Sequence, residues 1–267
     1  HFEYYGAPDR WQIEVAVTKE LEKMNRLRFP EPDCAVFVPE STIRSYIGTS
    51  HIPHKGMCLH SFLARGTGAW YKFINEGTIA KDPDLKKYKV IMTADSKYLT
   101  KDVFNRLKDY VAGGGTLFVL DPEAFSFTSS GESLSSERAS LSGVAGLISM
   151  RPENNFVAGK YNLPASGLSA FELKAAAGAG IVASFPSGKP AVIENSFGKG
   201  RVITLAVNPC NIRLAGNSDW SVFIKGYLEV SGVKTNQDIW RFRFPKSMIK
   251  SIPAPDGRCL TGNFIQW

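Results

Sequence analysis

The chain has 267 residues, of which 43% are hydrophobic, 12% aromatic and 21% charged, the proportions of a globular protein able to bury a sizeable core. Its 32 basic and 25 acidic residues give a formal net charge of +7, but the basic residues are spread out, the densest group being Arg241, Arg243, Lys246 and Lys250. A solvated basic surface is therefore expected and nucleic acid is not a partner, and no apolar run reaches the ~18 residues that would cross a membrane.

The first predicted element is a helix over residues 9–25. Asp9 and Gln12 fit a capping box, and Ile13, Ala16, Val17, Leu21 and Met24 recur at helical spacing. Pro30 and Pro32 end it. Cys34-Ala35-Val36-Phe37-Val38 is a short continuous apolar run stopped by Pro39, as suits a strand buried on both faces. Residues 41–60 read as irregular and hold His51, His54 and His60, with no carboxylate beside them to complete a metal site. Residues 61–76, with Phe62, Trp70, Phe73 and Ile74, are expected to form a second helix.

Residues 89–120 form the best-defined unit. Lys89-Val90-Ile91-Met92-Thr93-Ala94 is a buried strand. Thr100 caps a helix whose stripe is Val103, Leu107, Tyr110 and Val111, and Leu99 and Phe104 make a hydrophobic staple. Gly113-Gly114-Gly115 stops that helix, and Thr116-Leu117-Phe118-Val119-Leu120 is the next strand. A right-handed parallel crossover is the expected connection.

Residues 126–142 are rich in Ser and read as an exposed loop or flexible insertion. Residues 143–195 read as β-rich, with 181–185 and 191–195 paired across Ser187-Gly188-Lys189. Phe197-Gly198-Lys199-Gly200 is a tight turn feeding a strand over 201–207. Asp219 is expected to cap a last helix with the stripe Trp220, Phe223, Ile224, Tyr227 and Leu228, ended by Ser231-Gly232. Residues 239–244 alternate apolar and basic side chains, as a half-buried strand does.

This order of elements predicts an α/β, flavodoxin-like three-layer α/β/α fold with a mostly parallel sheet and a β-rich segment after the core strands. Residues 1–235 are expected to be one α/β domain, with 126–195 as its loop and β-rich insertion. Residues 236–267 are expected to be a linker and the start of a following β-domain. Both ends read as cuts in a longer protein. The four cysteines, Cys34, Cys58, Cys210 and Cys259, have neither CxxC nor zinc spacing. Cys34 reads as a buried thiol, and a bridge between Cys58 and Cys210 stays open. A soluble protein is expected, with secretion or a periplasmic location left open.

The string YKVIMTADSKYLTKDVFNRLKDYVAGGGTLFVLD, from Tyr88, resembles the second half of the trimerisation domain of family 42 β-galactosidases. SFGKGRVITLAVNP resembles that domain's strand after a Gly-Lys-Gly turn, and the Trp11 helix with FPEPDCAVFVPEST resembles its first helix and strand. More broadly the pattern resembles class I glutamine amidotransferase-like domains. The resemblance implies a domain that follows a TIM-barrel glycosidase domain and packs subunits together. No catalytic residue is assigned, and no carboxylate pair fits a glycosidase site.

An amidotransferase nucleophile would stand at the elbow after strand 116–120. That position reads Asp121-Pro122-Glu123-Ala124-Phe125, with neither Cys nor a Gly-x-Ser-x-Gly frame. Gly113-Gly114-Gly115 precedes a strand and Gly198-Lys199-Gly200 lacks Walker spacing, so neither matches a phosphate-binding fingerprint. The candidate ligand-binding residues are Asp95, Asp121, Glu123 and Asn208. All lie just past the carboxyl ends of predicted strands, where open α/β sheets place their crevices. No metal and no cofactor is implied.

The expected function is a structural and interaction module of a glycoside hydrolase, without activity of its own. Its partners would be the parent enzyme's other domains and a second copy of the chain. The alternatives are a module binding a carbohydrate or small polar ligand at the sheet edge, and a ThuA-like enzyme of sugar metabolism.

Overall fold

The computed structural model describes residues 31–46, 59, 61–151, 153–210, 214, 217–235, 247–253 and 259–265. The chain divides into two compact units, one formed by Pro32–Arg241 and the other by His1–Glu31 with Phe242–Trp267. The expected helix over 9–25, the strand over 239–244, the three loop histidines and Cys58 lie outside the described residues.

In chain order the large unit runs β1 (Cys34–Val38), α1 (Glu40–Ser45), a π-helical turn (Ser61–Thr67), β2 (Tyr71–Asn75), α2 (Glu76–Lys81) and a 3-10 turn (Leu85–Lys87). There follow β3 (Val90–Thr93), β4 (Tyr98–Leu99), α3 (Lys101–Ala112), β5 (Thr116–Val119), β6 (Phe127–Thr128) and α4 (Ser135–Ser142). The β-rich stretch is β7 (Val144–Met150), β8 (Asn155–Ala158), β9 (Tyr161–Pro164), β10 (Ala170–Ala175), β11 (Gly180–Ser184) and β12 (Pro190–Phe197). Strand β13 (Gly200–Leu205) and helix α5 (Ser218–Val230) close it. In the other unit β14 (Ser247–Pro253) and β15 (Cys259–Ile265) pair antiparallel.

Nine strands form one sheet in the order β2-β1-β3-β5-β13-β12-β11-β8-β9. It is parallel from β2 to β13 and antiparallel from β13 to β9. Successive residues of the parallel strands feed two different cores, because side chains alternate across a strand. Val36, Met92, Phe118 and Ile203 join Trp220, Ile224 and Leu228 of α5. Ala35, Ile91, Leu117 and Val202 join Val103, Leu107 and Val111 of α3. Burial on both faces explains why these strands read as continuous apolar runs.

Helix α3 forms as its sequence predicts. The Thr100 side chain accepts from the Val103 amide, and Leu99 and Phe104 are both fully buried. The hairpins β11–β12 and β12–β13 also match their turn signals.

Four expectations fail. Residues 41–60 are not irregular from their start, because Glu40–Ser45 forms helix α1. Residues 61–76 are not one helix. Gly68, at φ 65, ends the π-helical turn, and Tyr71–Asn75 pairs parallel with β1 as an edge strand, in keeping with the β-preference of its aromatic and branched residues. Residues 126–142 are not all loop, because Ser135–Ser142 forms α4, which buries Arg138, Leu141 and Ser142 and ends at Gly143 with φ 73. The cap of α5 is Asn217, whose side chain accepts from the Trp220 amide at 3.0 Å, and Asp219 sits in the first turn. No described helix is long and apolar enough to cross a membrane.

Candidate functional site

The carboxyl ends of β3, β5 and β13 bring Asp95, Asp121, Glu123 and Asn208 around one short segment, residues 94–97. Asn208 donates to the Ala94 carbonyl and accepts from the Cys210 amide at 2.9 Å, so it ties the loop after β13 to the end of β3. Asp121 is 4% exposed. One of its oxygens accepts from the Ser96 amide at 3.2 Å and the other from the Glu123 amide at 3.1 Å, an Asx turn that starts the 121–125 bend. Glu123 pairs with Lys97 at 2.8 Å, and that hydrogen bond, more than any other influence, raises the Lys97 pKa.

Two residues that the sequence does not mark complete the cluster. Tyr46, just after α1, donates to Asp95 at 3.5 Å. Burial first, and then the charges of Asp95, Asp121 and Glu123, push its pKa well up and keep the phenol protonated. Arg138 of α4 is 6% exposed. It donates to the Ser126 hydroxyl at 3.0 Å, while its Nε has no partner. Burial lowers its pKa against the opposing pull of Asp121 and Glu123. Tyr46 and Arg138 come from segments distant in sequence, so only the fold brings them to the carboxylates.

The bend itself is filled by carbon. Phe125 has φ 60 and is fully buried, a strained conformation for a bulky residue. Its amide donates to the Ser96 carbonyl at 2.8 Å and its ring packs edge-on against Phe104. The Cys34 thiol is deeply buried and its pKa is driven up by that burial, which makes it a structural thiol rather than a nucleophile. Among the described residues no group of His, Cys, Asp and Glu could hold a metal ion.

On the same side of the sheet a groove of about 530 Å³ is lined by Ser41, Arg44, Ser45, Tyr98, Ser129 and Ser130. Its hydroxyls are partly committed. Ser41 donates to Glu76 at 2.9 Å and Ser45 to the Thr42 carbonyl at 2.6 Å. The Tyr98 ring stacks on Phe127 with centroids 5.5 Å apart.

No protein-family model matches this chain, and no curated protein matches it. Solved structures do. The β-galactosidase Gan42B of G. stearothermophilus superposes with a TM-score of 0.67 over 92% of this chain and 36% of its own, at 17% identity. A β-galactosidase of Bacillus circulans sp. alkalophilus gives 0.64 over 89% of this chain and 36% of its own, also at 17% identity. The exo-β-1,4-mannosidase Op5Man5 of Opitutaceae bacterium strain TAV5 gives 0.56 over 85% and 40%, at 13% identity. The chain therefore spans about a third of the β-galactosidases it resembles, and the likeness is one of fold.

Proposed function

We propose that this chain is a structural and interaction domain of a larger carbohydrate-active enzyme, a glycoside hydrolase of the β-galactosidase kind, and that it serves subunit or domain packing rather than catalysis. The observation that carries this reading is the match of nearly the whole chain to about a third of the length of several glycosidases. The internal use of the polar groups at the sheet edge supports it. Asp121, Glu123 and Asn208 all satisfy backbone or lysine partners of their own domain. The order of the five parallel strands, 2-1-3-4-5 when they are numbered along the chain, supports the flavodoxin-like and amidotransferase-like reading of the core.

Packing needs an apolar surface. Val157 of β8 and Val182 of β11 stand 58% and 44% exposed on adjacent strands of the β-rich end of the sheet. Sedimentation of the wild-type chain beside a Val157→Lys/Val182→Lys variant tests the assignment. Association that the lysines abolish is the expected result, and identical sedimentation of the two proteins would move the interface elsewhere.

A second reading, a module that binds a carbohydrate, is favoured by the groove of Ser41, Arg44 and Tyr98. Titration with lactose and with galactose distinguishes it, since the packing domain gives no saturable heat.

A further inference from the structure

Two glycine motifs that match no phosphate-binding fingerprint alone meet at the opposite edge of the sheet. The Gly198-Lys199-Gly200 turn lies directly on the end of α3. The Lys199 amide donates to the Ala112 carbonyl at 3.0 Å and the Arg201 amide to the Gly115 carbonyl at 3.3 Å. A Cβ on Gly200 would stand 2.2 Å from the Gly115 carbonyl oxygen, and one on Gly198, at φ 61, would stand 2.6 Å from the Ala112 Cα. The contact thus requires glycine at both positions.

Their meeting opens a cleft of about 560 Å³ whose lining includes Lys86, Lys89, Lys199, Arg201, Thr116 and Ser231. That volume suits a small molecule. Four cations line the cleft. Lys89 is held by Asp33 at 3.1 Å and by the Gly232 carbonyl at 2.6 Å, and Arg201 by Glu194 at 3.2 Å and the Ser231 hydroxyl at 3.1 Å. Lys86 and Lys199 have no ion pair among the described residues. Two cations held by partners and two without an ion pair in one lining leave the cleft with an excess of positive charge.

We propose that this amino-edge cleft binds a tetrahedral oxyanion, the phosphate or sulfate group of a small ligand, through Lys86 and Lys199, with Arg201 and Lys89 in the same lining. The proposal is independent of the packing role and of the carboxyl-edge cluster. The competing account is electrostatic. The cleft sits at the C-terminal ends of α3 and α5, where lysines also stabilise helix dipoles.

The test is calorimetric titration of the 267-residue chain with inorganic phosphate, sulfate and pyrophosphate, with ionic strength held constant by chloride. Thermal melts with the same anions run in parallel. The variants are Lys86→Ala/Lys199→Ala and, as a control that removes the same charge elsewhere, Lys160→Ala/Lys225→Ala. The expected result is saturable binding that the control retains and that the cleft variant loses by about tenfold per lysine. Comparing glucose 6-phosphate with galactose 6-sulfate then tells a phosphorylated from a sulfated source. No saturable binding to wild type, or equal binding to the two double variants, overturns the proposal. A cleft variant that only melts earlier, with no change in anion response, assigns these lysines to the helix ends.

Discussion

Replacing Gly200 by Ala probes the joint on which the centre of the sheet is built. The added Cβ would meet two backbone oxygens, those of Gly115 at 2.2 Å and Val111 at 2.3 Å. Backbone atoms cannot rotate away as a side-chain tip can. Relief requires the 198–200 turn to lift from the end of α3, which breaks the hydrogen bonds from Lys199 to Ala112 and from Arg201 to Gly115. Overpacking of this kind costs ~1–3 kcal/mol and each lost hydrogen bond about 1 kcal/mol, so a destabilisation of about 3 kcal/mol is expected. For a unit the size of Pro32–Arg241 that lowers Tm by about 6–12 °C. The control is Gly159→Ala. Gly159 has φ 60 but open space around it, so its cost is backbone strain alone, about 1 kcal/mol. Both variants are read by thermal and urea unfolding followed by circular dichroism. A Gly200→Ala protein melting within about 2 °C of wild type, or losing less than Gly159→Ala, would mean that the turn is not locked against the end of α3.

Asp121→Ala strands the Ser96 and Glu123 amides that the carboxylate now accepts from, and urea unfolding should register a loss of about 2–3 kcal/mol. Arg138→Met removes a buried guanidinium with no ion pair among the described residues and an unpartnered Nε. Its free energy of unfolding should hold or rise by about 1 kcal/mol, and a fall beyond about 2 kcal/mol would mean that Asp121 depends on that charge. The hydrogen bond from Lys87 holds the Asp82 carboxyl below its ordinary pKa. The stability it contributes is therefore present above the unfolded value near ~3.9 and is lost as pH falls through the lower folded value. Melting curves from about pH 5 down to about pH 2 should show wild type losing its advantage over Asp82→Asn, and a constant difference across that window would contradict the assignment.

Strands β1, β3 and β5 are legible because their signal is local. Each is a mainly apolar run, β1 standing between Pro32 and Pro39 and β5 following the glycine triplet, and burial on both faces leaves only the β-favouring Thr93 and Thr116 among the apolar side chains. Strand β2 hides because it is an edge strand. Lys72 and Phe73 are exposed there, so the residues fit a helical stripe as well as a β-pattern. Helix α4 hides because one of its buried positions is Arg138, which reads as polar surface until the fold encloses it.

The candidate site divides the same way. Asp95, Asp121 and Asn208 follow strands and can be found from strand ends alone. Tyr46 and Arg138 reach the same cluster from segments 49 residues before Asp95 and 17 after Asp121, and no local pattern carries that information. The basic cleft needed both glycine motifs at once, and its partners lie more than 80 residues apart in the chain.

The most direct measurement of the packing role is the mass of the purified chain in solution, by light scattering over a wide range of concentration. A packing domain is expected to form a stable dimer or trimer whose mass does not fall on dilution through the micromolar range. A strict monomer at every concentration would contradict self-association through this domain and would turn attention to the groove of Ser41, Arg44 and Tyr98 as the working surface.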